Sequence, residues 1–203
     1  MGERTNAAFV LGPAGEFGGV DDQPRIPPGG RRRIGPLNAA IVWAIGRASG
    51  GRPPNVFTTL ARNRGLFRRW LFFAGGLMPG GKLPRRDTEL VILRVSDNTG
   101  CAYEWSHHER LGQKAGLSAE EVERVRSGPD AADWTPRQQA LLRACDEMYA
   151  DGRIGEETWR RLAAELDDRL LIELCLLIGH YEMLAMTLNT LQVPLDPPTK
   201  RIG

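Results

Sequence analysis

The chain has 203 residues, 41% apolar and 26% charged, which excludes wholesale disorder and fibrous repeats and leaves one globular, soluble domain of about 150 residues beside a loose N-terminal segment. Its 27 Lys and Arg against 25 Asp and Glu give a net charge of +2, too small for a broad nucleic-acid footprint, so no nucleic-acid partner is expected. Three cysteines, Cys101, Cys145 and Cys175, are too few for a disulfide framework and suit a reducing compartment, so a cytoplasmic location is expected.

Residues 1–36 contain Gly12-Pro13, Gly18-Gly19, Pro27-Pro28-Gly29-Gly30 and Gly35-Pro36 and show no sustained periodicity, so they read as an extension. Its only apolar run, Ala7 to Leu11, is shorter than a signal-peptide core, and no export signal is expected. Arg31 to Arg33 reads as a solvated run, because no aromatic residue is interleaved with it.

From residue 37 helical patterning takes over and the alternation of strands is nearly absent, so the fold is expected to be all-α, with one domain over 37–197 and a tail at 198–203. Helices are predicted near 37–48, 56–74, 85–98, 100–115, 119–127, 136–150, 156–166 and 168–191. Ser118 with Glu121 and Thr135 with Gln138 form capping boxes, the second followed by Pro136 at the first helical position. The last helix is apolar nearly all round and should lie centrally or in a subunit interface. Its run Leu174 to Ile178 is far short of the ~20 apolar residues of a membrane span, so no membrane partner is expected.

The segment that could carry chemistry runs from Arg86 to Gly116, where two helices meet at Asn98-Thr99-Gly100. At about 100° per residue, Cys101, Trp105, His108 and Gly112 fall within roughly 40° of one line, with Glu104 about 60° away and His107 off the face. Glu104 and His108 are spaced i, i+4, so a carboxylate could orient the imidazole and raise its pKa into an acid/base range. Cys101 sits in a first helical turn that favours thiolate, while an ionised Glu104 one turn away opposes it. Glu89 could face Cys101 from the preceding helix, although Arg85, Arg86 and Arg94 offer it salt bridges.

The remaining candidates read as structure. Cys145 and Cys175 are flanked by apolar helical residues, His180 suits a hydrogen-bonded core or interface histidine beside Tyr181, and Met183 and Met186 suit a packed helix interface. With His107 off the face, and with no Gly-rich phosphate loop, zinc-spaced set or Ser elbow, neither a metal nor an organic cofactor is expected.

Glu89, Cys101, Glu104-Trp105 and His108 together resemble the core motif of the carboxymuconolactone decarboxylase and alkylhydroperoxidase D superfamily. The resemblance runs from about residue 37 to residue 197 and takes in Trp134-Thr135-Pro136, Trp159, Gly179-His180-Tyr181 and Leu191-Gln192-Val193-Pro194. It implies an alkylhydroperoxidase D-like helical bundle, a homotrimer or homohexamer, catalytic Cys101, Glu104, His108 and Glu89, and a pocket lined by Tyr103 and Trp105. Glu104 stands where the peroxidase branch has its second cysteine, so the vicinal dithiol of disulfide cycling is missing. The decarboxylase branch implies acid/base chemistry by Glu104 and His108 on a small carboxylic acid or lactone, without a cofactor. One alternative is an antioxidant hydroperoxidase using Cys101 alone; another is a non-catalytic helical assembly module.

Overall fold

Two helix starts are built as the sequence predicts. Ser118 Oγ accepts from Glu121 N while the Glu121 side chain accepts from Ser118 N, and Thr135 and Gln138 repeat the exchange ahead of Pro136. The computed structural model describes residues 23–48 and 51–197, and among these the helices are α1 (Arg31–Ile34), α2 (Pro36–Ala48), α3 (Asn55–Leu60), α4 (Arg64–Leu77), α5 (Arg85–Asn98), α6 (Ala102–Lys114), α7 (Ala119–Val125), α8 (Pro136–Asp151), α9 (Glu156–Ala163) and α10 (Asp168–Leu191). No strand occurs among the described residues, so the all-α expectation holds.

The expected helix over 56–74 is two helices. Asn63 leaves the helical region, and its side-chain oxygen accepts from Leu66 N, satisfying an orphan donor and starting α4. Residues 23–36 also depart from a free extension. Gly29 N donates to Thr58 O, Arg62 Nη1 donates to Pro27 O, and Ile34 is buried with Val42, Ala61 and Phe67. The Gly12-Pro13 and Gly18-Gly19 turns, the Ala7–Leu11 run and the tail from residue 198 lie outside the described residues.

Helix α5 is the axis of the fold. Its Val91, Ile92 and Val95 pack with Leu141, Ala144, Cys145, Leu174, Leu177 and Ile178 of α8 and α10. Leu90 and Leu93 face the other way, into a cluster with Trp105, Val122, Val125, Trp134 and Leu142. Arg94 ties α5 to α8 with a forked pair, Nε to Asp146 Oδ1 at 2.6 Å and Nη2 to Asp146 Oδ2 at 3.0 Å. Helix α10 is long and apolar enough by length and composition to cross a bilayer, yet Leu171, Leu174, Leu177, Ile178 and Tyr181 are spent on this core.

Candidate active site

Helix α5 ends at Asn98 with Thr99 as its C-cap, and Gly100 takes φ +60°, a left-handed turn that glycine adopts at little cost. Cys101 N donates to Ser96 O at 2.8 Å and Cys101 caps α6, which runs back antiparallel along α5. The two helices approach closely at Gly112, where a Cβ would lie 3.0 Å from Leu117 Cδ1 and 3.7 Å from Glu89 Cβ. That approach sets the position of His108 against α5.

The pairing expected between Glu104 and His108 does not form; Glu89 holds the imidazole instead. His108 Nδ1 lies 2.7 Å from Glu89 Oε2, and Glu89 Oε1 lies 2.7 Å from Arg85 Nη2 one turn earlier on α5. Glu89 is fully buried while Arg85 is 42% exposed, so the ion pair runs from the core to the surface. A carboxylate at Nδ1 selects the tautomer with the proton there and leaves Nε2 as the free basic nitrogen. Glu89 thus makes the salt bridge that the sequence offered it with Arg85 and in addition holds the histidine, which sequence spacing did not show.

Glu104 is also buried, and neither of its carboxyl oxygens has a hydrogen-bond partner among the described residues. Burial pushes its pKa well above the usual carboxylate value, which favours the protonated form. Cys101 is fully buried among Tyr103, Leu184, Ala185 and Leu188, and burial, followed by the Glu104 carboxyl, pushes its thiol up to about 12 against the opposing backbone N–H groups of Glu104 and Tyr103. Burial is the largest cause. The balance between helix dipole and acidic neighbour expected for Cys101 resolves toward thiol, because Cys101 is covered rather than exposed at the helix end.

Tyr181 of α10 completes the cluster. Its ring stands edge-on to His108 with centroids 5.3 Å apart, and its hydroxyl is pushed up chiefly by burial. Sequence spacing could not place it there, because 73 residues separate it from His108. Its neighbour His180 turns away to stack on Trp70 at 6.0 Å, with burial lowering its pKa to about 4 and no partner for Nδ1. The hydrogen bond expected for His180 is thus absent among the described residues.

Tyr103 packs beside Cys101 but turns its hydroxyl away, and Trp105 lies apart from the cluster, so the two do not line a common pocket there. The Tyr103 hydroxyl donates to Asp196 Oδ2 at 2.8 Å and accepts from Val56 N at 3.0 Å, while Trp105 packs with Leu90 and Leu93 under the Arg126 guanidinium. His107, off the cluster as its spacing predicts, meets Asp196 Oδ2 at 2.7 Å. Cys145 donates its thiol to Leu141 O and belongs to the α8–α10 core, and Cys175 is half-buried on α10. Among the described residues no group of three His, Cys, Asp or Glu is arranged to hold a metal ion.

A helical bundle that buries Cys101, Glu89, Glu104 and His108 around the α5–α6 junction has counterparts among known proteins. Residues 64–147 match the carboxymuconolactone decarboxylase family model. Solved structures share the fold: a peroxidase-related protein with an alkylhydroperoxidase core from Ralstonia eutropha JMP134 (20% identity, 85% of this chain and 92% of that one, TM-score 0.76) and another peroxidase-related protein from Silicibacter sp. TM1040 (18% identity, 90% and 98%, TM-score 0.76). The debrominase Bmp8 is similar as well (15% identity, 84% and 91%, TM-score 0.71), and a cysteine-to-alanine variant of it has been solved with 2,3,4-tribromopyrrole. No curated protein sequence matches significantly. Residues 64–147 thus resemble the carboxymuconolactone decarboxylase family, within a fold shared with alkylhydroperoxidase D-like proteins.

Proposed function

We propose that the chain is a cofactor-independent enzyme that performs acid/base chemistry, decarboxylation or isomerisation, on a small carboxylic acid or lactone. The observation that carries the reading is Glu104. A buried carboxyl with both oxygens unpartnered costs stability and is not explained by packing, and it sits one turn from a histidine whose Nδ1 is held by a second buried carboxylate. The same observation weighs against a purely structural assembly module.

In decarboxylation the bond from the α-carbon to the carboxylate breaks, its electron pair passes into the adjacent carbonyl as an enolate, and carbon dioxide leaves. Glu104 delivers the proton that the enolate carbon takes up, and His108 Nε2 accepts a proton from the substrate or returns one to Glu104. In isomerisation His108 removes the proton and Glu104 replaces it elsewhere. Arg85 and Glu89 hold the imidazole in register for both.

The test is turnover of carboxymuconolactone and related lactone acids, followed by ultraviolet absorbance and carbon dioxide release. Glu104→Gln and His108→Asn should each lower kcat/KM by ~10²–10⁴ with helicity unchanged. Full activity in both variants removes the reading.

The thiol reading keeps one supporting observation, the Glu104 and Tyr103 N–H groups aimed at the Cys101 sulfur. There a thiolate would attack a hydroperoxide, cleave its O–O bond, release an alcohol and become a sulfenate that an external thiol reduces. Peroxide-dependent sulfenate at Cys101 is the discriminating measurement; a covered thiol at about 12 predicts little of it at neutral pH. The subunits are further expected to assemble as a homo-oligomer, because α10 leaves Ile172, Leu176, Met183 and Met186 exposed along one side.

A further inference from the structure

Residues 23–86 contain thirteen Lys and Arg and no Asp or Glu, a segregation that the whole-chain net charge of +2 conceals. The fold keeps these charges together. Arg64 donates to the Arg32 and Arg33 carbonyls and Arg68 donates to Asn38 Oδ1, so α1, the start of α2 and the first half of α4 share one surface bearing Arg31, Arg32, Arg33, Arg64, Arg68 and Arg69. None of them is neutralised within the described residues, because every side-chain ion pair there has its basic member at Arg85 or later.

The same surface carries apolar side chains with no packing role. Helix α4 buries Phe67 and Leu77, and its opposite side presents Leu66 and Phe72, the latter 88% exposed, beside Arg68 and Arg69. Leu37 of α2 is exposed near the same end. Gly65, Arg68, Arg69 and Phe72 line a shallow depression between them. A helix with its long axis on the surface, arginines interleaved with Leu and Phe, and no compensating acid has the chemistry of an interfacial helix.

We propose that this α1–α2–α4 surface docks the protein peripherally on an anionic lipid bilayer, with the arginines on phosphate headgroups and Phe72 and Leu66 in the headgroup–acyl boundary. This sets aside the expectation of no membrane partner, which rested on the absence of a spanning segment. A second copy of the chain is a poorer occupant, since the side of α10 bearing Ile172, Leu176, Met183 and Met186 already offers an apolar contact for self-association. Phe72 also offers a base one aromatic face, so an RNA competitor belongs in the test beside the lipid.

Co-sedimentation of the full chain with vesicles tests the proposal. Binding is expected to vesicles of phosphatidylcholine mixed with phosphatidylglycerol and not to phosphatidylcholine alone, with release as salt is raised. Arg68→Gln with Arg69→Gln should weaken binding ~30-fold. Phe72→Ser, at a side chain with no packing role, should weaken it while leaving the melting temperature unchanged. The proposal is overturned if anionic vesicles do not retain the protein, or if neither variant changes retention. It is equally overturned if poly(U) RNA binds as tightly and indifferently to Phe72, or if Phe72→Ser dissociates an oligomer while vesicle binding is absent. Turnover by the active-site cluster is a separate readout, so the two readings fail independently.

Discussion

A 2.7 Å contact between Glu89 Oε2 and His108 Nδ1 commits one imidazole nitrogen to orientation and leaves the other for chemistry. Glu89→Gln and His108→Asn should therefore be strongly non-additive: the double variant is expected to lose no more than the worse single one, and additive losses in kcat/KM would show that the pair does not act as a unit. Glu104 makes a different prediction, through stability. The folded state keeps its proton well above the ordinary value of 4.5, whereas the unfolded chain loses it near that value, so above pH 4.5 the folded state binds more protons and stability falls as pH rises. Glu104→Gln removes that dependence. Denaturant titrations between pH 5 and 8 should show the variant gaining on the wild type by up to about 1.4 kcal/mol per pH unit; parallel profiles would mean that Glu104 is ionised in the fold.

At the scale of elements, α5 and α6 make the cluster only because they pack closely, and Gly112 is where that closeness is set. Gly112→Val should cost about 1–3 kcal/mol of stability and reduce turnover more than helicity, since the new side chain meets Leu117, Leu93 and Glu89. Unchanged activity would place the tolerance of the site above the ångström scale. Much of this level was legible beforehand: both capping boxes and the full span of α10 follow from local pattern, and so does the common line of Cys101 and His108. The α3–α4 break was not, because Asn63 acts by a backbone hydrogen bond that competes with an otherwise helical run. The partner of His108 was equally hidden. Glu104 sits at the favourable i, i+4 spacing, and only tertiary packing shows that Glu89 reaches the ring first.

For the whole molecule, apolar periodicity indicated that α10 would be central, and it is, while the segregation of charge between its two halves is invisible to a net total. The side of α10 left exposed by Ile172, Leu176, Met183 and Met186 should be covered in a homo-oligomer. Light scattering at micromolar concentration is expected to give a single species larger than the 22.5 kDa chain, and a monodisperse monomer would refute it. The same helix supplies Tyr181 to the cluster and covers Cys101 with Leu184, Ala185 and Leu188. These residues follow Cys101 by more than seventy positions, so during synthesis the cysteine leaves the ribosome long before its cover exists. The thiol is therefore most open to oxidants in the nascent chain, and completion of α10 is the event that takes it out of reach.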